Sequence, residues 1–364
     1  FVTLHYLPNS IISYYGDGDD LGLKINYSIE EEALGTAGGV KFAVGKYNEK
    51  TIVISGDLIT DFNIEELINL HNKKGSIFTI ALKSVENPYQ FGIVKTDEEG
   101  RVVRFLEKPS PTEVFSNLIN AGIYVFEPEV FKYIKDGIAF DFSRDLIPIL
   151  LSNNEPVYAF ELKGYWSDIG TISQYLTTNI DLLENKSEKL LNVAKKYQRI
   201  KDNFERIEVE EPVFINENVK IEGKVKIGKY TIIDEDVIVK NSSIIEGSII
   251  GKGAFIGNKS VIYSSIIGEY TKIKSNVTIL EGCVIGDRSM IGKGVEIRSG
   301  VRIWPEKVVE DNLVIAFDII GGVKEIKHLF NSGSISLIPF IELTPELAIK
   351  IGKVIGSISK NVLN

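Results

Sequence analysis

The chain carries a single cysteine, Cys283, among 364 residues. An internal disulfide and a cysteine-built zinc cluster are therefore excluded, and a reducing, cytoplasmic setting suits it. Histidine is almost as scarce: only His5, His71 and His328 occur, and none lies between residues 211 and 304. No run of eighteen apolar residues exists, so no membrane partner is expected. The opening Phe1-Val2-Thr3-Leu4-His5 lacks the basic region and cleavage site of a secretory signal. Positive charge is in deficit, with 41 Lys and Arg against 50 Asp and Glu and a formal net charge of -9. Nucleic acid should be repelled, and an anionic substrate must be held by local cations or a metal. An initiating Met is also missing. The first residues alternate like a strand that Leu7-Pro8-Asn9 breaks, so the expectation is a chain that starts inside a domain.

What is present reads as a soluble globular protein, 44% hydrophobic and 25% charged, long enough for two or three domains. Residues 1–184 alternate strand and helix. Residues 51–55 (TIVIS) have the apolar, β-branched look of a buried parallel strand. Residues 64–74 approach helical spacing, 76–83 read as a strand, and 172–184 form a closing amphipathic helix. This rhythm predicts an α/β domain with a mostly parallel sheet. Residues 185–210, rich in Lys and Glu, read as a solvated helical connector.

From about residue 211 the period changes. Aliphatic residues recur every six positions from Ile215 through Ile221, Ile227, Ile233 and Val239 to Ile245. A step of five reaches Ile250, Ile256 and Ile262, and another reaches Ile267 and the run ending at Ile303. Two residues before these come small or β-branched side chains such as Val225, Thr231, Ala254 and Cys283, and glycine often follows the isoleucine. A period of six is the signature of a parallel β-helix, in which each coil is a triangle of short strands. The isoleucines should fill one interior and the glycines should sit where the backbone turns. Residues 211–325 then give about five coils. Beyond it, residues 344–360 form a candidate helix with Thr344 as N-cap, Pro345 at its first position and an unpartnered apolar face.

Several short motifs could carry chemistry, and each has a structural alternative. Asp57, in Ser55-Gly56-Asp57 at the end of a strand, could hold a metal against a phosphate; it could equally be a turn or cap residue. Leu34-Gly35-Thr36-Ala37-Gly38-Gly39 could bring backbone N–H groups close to a flat or anionic ligand, or simply start a helix. Lys108, in Glu107-Lys108-Pro109, could pair with a phosphate, or lie exposed before a turn. Asn120-Ala121-Gly122 could meet sugar hydroxyls, or be satisfied within a strand. Asp168, in Trp166-Ser167-Asp168-Ile169-Gly170, could be a second metal ligand, or cap the helix after Thr171.

In this order the motifs resemble those of the sugar-1-phosphate nucleotidyltransferases, closest to the mannose-1-phosphate guanylyltransferase-like branch. The matching pieces also include His5-Tyr6-Leu7-Pro8, Tyr15-Gly16-Asp17-Gly18, Glu32-Ala33-Leu34-Gly35-Thr36 and Phe91-Gly92, and the likeness covers residues 1–325. The resemblance implies a Rossmann-like nucleotidyltransferase domain over 1–184, lacking its first strand, and a left-handed β-helix after it. It implies a nucleoside triphosphate and a sugar 1-phosphate as substrates, GTP and mannose 1-phosphate first, giving GDP-mannose and pyrophosphate. Glucose 1-phosphate with a thymidylyl, uridylyl or adenylyl donor is the alternative. By position, Leu34, Gly35 and Thr36 would line the base. Gly92, Glu107, Asn120 and Gly122 would serve the sugar, and Lys108 its phosphate. Asp57 and Asp168 would hold Mg²⁺, with carboxylates within about 8 Å of each other. A homo-oligomer through the β-helix is a further expectation.

Two departures from the family pattern stand out. Nothing matches the family's opening glycine-rich loop with its Arg and Lys, so the chain as it stands is expected to be inactive. Residues 326–364 resemble the start of a phosphohexomutase, although Phe330-Asn331-Ser332-Gly333-Ser334 matches that opening motif only loosely. Two other functions compete. Hexapeptide acyltransferases resemble one another in using a histidine base on a coil, which residues 211–304 do not contain. A non-catalytic, sugar-nucleotide-sensing homologue on the same fold is the other.

Overall fold

A computed structural model describes residues 1–187, 190, 207–216, 218–321, 325–326 and 349. The chain divides into two compact units, Phe1–Gly170 and Thr171–Asn364. Most of the 185–210 connector lies outside the described residues, as do the mutase-like segment 326–364 (two positions apart) and its helix over 344–360. Among the described residues, no helix is long and apolar enough to cross a membrane.

The first unit opens with β1 (Val2–Leu4), α1 (Pro8–Tyr15), β2 (Tyr27–Ile29) and α2 (Gly35–Val44). Then come β3 (Thr51–Ile54), β4 (Leu58–Thr60), α3 (Ile64–Lys74) and β5 (Phe78–Ser84). It closes with β6 (Gly92–Thr96), β7 (Val102–Glu107), β8 (Leu118–Phe126), α4 (Ile147–Ser152), β9 (Val157–Glu161) and β10 (Trp166–Asp168). The main sheet runs β7-β6-β8-β5-β9, with β3 beside β8. The α/β class holds, but this sheet is mixed. Only β5 and β9 pair in parallel within it; β3, β5 and β6 all run antiparallel to β8. One local cause is the turn Asp97–Arg101. The Asp97 carboxylate accepts from the amides of Glu99 and Arg101, and Gly100 takes φ 85°, so β6 folds straight back into β7.

The strand at 51–54 differs from its reading. β3 pairs antiparallel with β8, and Ile52 and Ile54 are 43% and 50% exposed. β-branched residues suit either a central or an edge strand, so composition did not separate the two. The core lies around β5 and β8, where Phe78, Tyr124, Phe126 and Phe142 pack ring against ring. α3 buries Leu67 and His71, four residues apart on one face.

In the second unit, α5 (Ile172–Leu183) precedes a parallel β-solenoid whose three faces hold, among the described residues, seven, six and seven strands. Each strand pairs in parallel with its counterpart one coil on, as Ile267 does with Ile285. The solenoid has about six turns rather than five. It starts earlier than expected, at Ile207–Val209 inside the segment read as a connector, and continues through Val309 and Ile315. The hexad isoleucines point inward and are buried without interruption from Ile227 to Ile303, while Ile221 is partly buried. Their glycine followers are not the left-handed corners. Those corners come two or three residues after the isoleucine, often at non-glycine positions such as Asp236, Ser242, Asn276 and Arg288. The glycines instead allow close approach of the next coil: a Cβ on Gly257 would stand 2.5 Å from the carbonyl carbon of Lys274.

Inside the corners, short polar side chains bond to the coil above. Ser243, Ser260 and Thr271 donate to the carbonyls of Gly257, Lys274 and Gly286 at 2.8, 2.9 and 3.0 Å. The Cys283 thiol does the same to Arg298 at 3.1 Å. Polar groups in an apolar interior are thereby satisfied.

Candidate active site

The two aspartates meet because two short strands pair. β4 and β10 run antiparallel with Asp168 opposite Leu58, next to Asp57. The amide of Ile169 donates to the Asp57 carbonyl at 2.9 Å, and that of Gly170 to Asp168 Oδ1 at 2.9 Å. A Cβ on Gly170 would lie 3.0 Å from Asp168 Oδ1 and 3.9 Å from Asp57 Oδ2, which keeps these oxygens within about 7 Å of each other. Trp166 anchors β10 by donating its indole N–H to the Ala121 carbonyl at 2.9 Å. Asp57 is exposed and Asp168 partly so. Among the described residues, no cluster of three or more His, Cys, Asp or Glu could hold a metal. Two accessible carboxylates nevertheless suit Mg²⁺, which completes its shell with water and substrate oxygens.

Lys108 follows the last residue of β7. It takes φ 47°, donates its amide to the Phe91 carbonyl at 3.0 Å, and is exposed, while Pro109 behind it is buried. A left-handed lysine is costly and is sustained here by the amide bond to Phe91 and the buried Pro109 behind it.

Gly92 and Glu107 face each other across the β6–β7 ladder. A Cβ on Gly92 would stand 2.7 Å from Glu107 Oε2 and 2.6 Å from Phe105 Cζ, so the glycine makes room for this carboxylate. Burial raises the Glu107 pKa above the ordinary value; the charge of Asp141 adds to this, and Lys108 and Arg144 oppose it. Asn120 is buried and its amide group is committed. It donates to the Tyr124 hydroxyl at 2.7 Å and to Ser143 Oγ at 3.1 Å, and accepts from the Gly122 amide at 3.1 Å. Tyr124 is buried, which pushes its pKa up to about 12. Gly122 takes φ 74°, and its missing side chain leaves space for Ser55 and Leu58.

Leu34, Gly35 and Thr36 sit at the start of α2, held by a segment far along the chain. The Phe140 amide donates to the Leu34 carbonyl at 2.8 Å, and the Phe140 carbonyl accepts from the amides of Ala37 and Gly38. Gly35 is left-handed, and a Cβ there would meet the Phe140 carbonyl oxygen at 2.7 Å. The Thr36 hydroxyl donates to Asp141 Oδ2 at 2.8 Å and accepts from the Phe142 amide at 3.0 Å. Sequence reasoning missed Tyr124, Asp141 and Ser143. The available signal was Asp141-Phe142-Ser143-Arg144, an aspartate placed to cap the short helical turn Phe142–Leu146.

The nucleotidyl transferase family model matches residues 1–185, half of the chain. The chain belongs to that family. A second model, the GMPPB C-terminal domain, matches residues 209–320. Relatives of this nucleotidyl transferase-family chain include the UTP–glucose-1-phosphate uridylyltransferase of Synechocystis. That protein is 34% identical over 250 residues, covering 61% of this chain and 62% of the relative. The mannose-1-phosphate guanylyltransferase of Mycobacterium tuberculosis is 37% identical over 182 residues, 49% of this chain and 50% of the relative. The mannose-1-phosphate guanyltransferase of Debaryomyces hansenii is 32% identical over 194 residues, 52% of each. The chain thus spans half to about three fifths of the length of these relatives.

Proposed function

We propose that the protein transfers a nucleotidyl group from a nucleoside triphosphate to a sugar 1-phosphate, with GTP and mannose 1-phosphate the preferred pair. The observation that carries this reading is the approach of Asp57, just before β4, to Asp168 on the adjoining β10 in a nucleotidyl transferase domain. The guanylyltransferases among the relatives favour mannose and guanine; the uridylyltransferase makes UTP and glucose 1-phosphate the pair to compare.

In this proposal Asp57 and Asp168 hold Mg²⁺. Once bound, the ion supplies charge neutralisation for the phosphate oxygens. Leu34, Gly35 and Thr36 border the base, and Gly92, Glu107, Asn120 and Gly122 border the sugar. Lys108 holds the sugar phosphate and aims one of its oxygens at the α-phosphorus. That oxygen forms the new P–O bond as the bond to the bridging oxygen breaks, and pyrophosphate leaves with the electron pair. The nucleophile is already anionic, so no histidine or serine base is required. A cytoplasmic setting suits the single buried thiol, Cys283. Self-association through the solenoid belongs to the same proposal, supported by Trp304, Val314, Phe317 and Ile320 exposed along its last stretch.

Pyrophosphate release by the intact protein with Mg²⁺ tests this reading. GTP with mannose 1-phosphate should give the highest kcat/KM, chelation should abolish turnover, and Asp57→Asn or Asp168→Asn should each cost about 10²–10³-fold. Binding of both ligands without pyrophosphate from any pair would favour the sensing homologue instead.

A further inference from the structure

Residues 140–143 touch both groups of proposed substrate residues. On one side, Phe140 is bonded through its backbone to Leu34, Ala37 and Gly38, and Asp141 Oδ2 accepts from the Thr36 hydroxyl at 2.8 Å. On the other, the Ser143 hydroxyl meets the Asn120 amide at 3.1 Å and also acts on Glu107 and Tyr124. Asp141 joins the two sides. Its Oδ1 accepts from the amides of Ser143 and Arg144 at 2.8 and 3.0 Å, while its own amide donates to Asp145 Oδ2 at 2.8 Å. Neither end is slack. The Thr36 hydroxyl already donates to Asp141 and accepts from Phe142, and both amide protons of Asn120 are used.

A hydrogen-bonded connection passes displacement along it: breaking the part-buried Asn120–Ser143 or Asp141–Ser143 bond leaves a polar group unpaired, and the Thr36–Asp141 bond at the surface ties the nucleotide side to them. A nucleotide that draws on the segment Leu34–Thr36 therefore moves or fixes residues 140–143. Those residues in turn orient the Asn120 amide and face Glu107.

Resting on the proposed function, we infer that residues 140–143 couple the two substrate sites, with Asp141 as the positioning residue. Filling one site raises the affinity of the other. Such coupling is reciprocal, since linkage requires each ligand to change the other's affinity by the same factor.

The test is calorimetric binding of mannose 1-phosphate to the intact protein with Mg²⁺, with and without an α,β-methylene analogue of GTP. The mirror titration of the analogue is done as well. Wild type should show the same tightening in both directions, about tenfold. Thr36→Val, on the nucleotide side, should weaken sugar-phosphate binding in the presence of the analogue. Ser143→Ala, on the sugar side, should weaken analogue binding in the presence of sugar phosphate. Asp141→Ala should bring the factor towards one, and Asp141→Asn, which keeps an acceptor for the Ser143 and Arg144 amides, should restore part of it. Should Asp141→Ala not fold, the two flanking variants decide the matter. The inference is overturned if wild type binds both ligands with a factor of one. It is equally overturned if folded Thr36→Val and Ser143→Ala each weaken only their own ligand and leave the wild-type factor intact. Absence of binding by either ligand to wild type would instead sink the functional reading beneath it.

Discussion

At the scale of single residues, the proposed sugar side is shaped by one carboxyl group and the glycine opposite it. Glu107 is half-buried, with burial and the Asp141 charge holding its pKa above the ordinary 4.5. As pH falls, it therefore takes up a proton earlier than an exposed glutamate would. If the ionised form accepts from a sugar hydroxyl, kcat/KM for sugar 1-phosphate should decline on the acid side through a pH above 4.5. Glu107→Gln should lower activity and remove that acid limb; an unchanged profile would detach Glu107 from the chemistry. The glutamate was legible in Glu107-Lys108-Pro109, but its environment was not. Gly92, Asp141 and Ser143 reach it from other parts of the chain, and no local pattern states which distant groups will face a strand end. Asn120 shows the same limit. Its position was legible, whereas its commitment to Tyr124, Ser143 and Gly122 follows from tertiary contacts alone.

Elements carry a different kind of information. α3 was readable from its spacing, and the structure adds a pH dependence expected of it. The His71 imidazole is buried, bonded to Thr79 at 2.8 Å and to Glu127 at 3.2 Å. Burial lowers its pKa below 6.5, Lys50 adds to this, and Glu127 opposes it. The folded chain thus accepts this proton at lower pH than the unfolded chain does. Its stabilising effect is complete above 6.5 and is lost as pH falls below that value. The melting temperature of the first unit should drop between about pH 7 and pH 5.5, and His71→Gln should flatten that slope. A slope identical in the variant would assign the effect to other groups. The solenoid glycines give a second prediction at this scale. Gly257→Ala should destabilise the second unit by about 1–3 kcal/mol, because its Cβ would meet the backbone at Lys274. At Gly300, left-handed but with open space around its missing side chain, alanine would meet backbone strain without that collision. Denaturant midpoints would separate these two costs. The hexad period revealed the solenoid itself, because a pattern of six excludes both helix and plain strand. Sheet direction in the first unit was less accessible, since β-branched residues suit either direction and the hairpin at Asp97–Arg101 fixes only that of β6 and β7.

On the scale of the whole molecule, the two units depend on sequence in different ways. In the first, aromatic rings and long-range hydrogen bonds bring together residues more than a hundred positions apart, such as Thr36 with Asp141. In the second, among the described residues, the strand pairing runs from each coil to the next. Periodicity therefore made the solenoid's interior readable residue by residue, although its extent was undercounted because the strand at Ile207–Val209 sits in a segment that looked helical.

Residues on the solenoid that share a face are related by translation. Ile267 and Ile285 occupy equivalent rungs, with a left-handed corner following each at Tyr270 and Arg288. The structure behaves like a ladder that can be shortened by a whole step without changing the phase of the remaining rungs. Excising residues 268–285 would bring Gly286 directly after Ile267. Every isoleucine beyond the join would still face inward, and the Thr271 and Cys283 donors would leave with their coil. The shortened protein should still melt cooperatively, with fewer rungs but the same register. Excising three residues fewer should turn the following isoleucines out of the interior and abolish the transition seen by circular dichroism. If both deletions melted alike, register in this solenoid would not be set by its hexads.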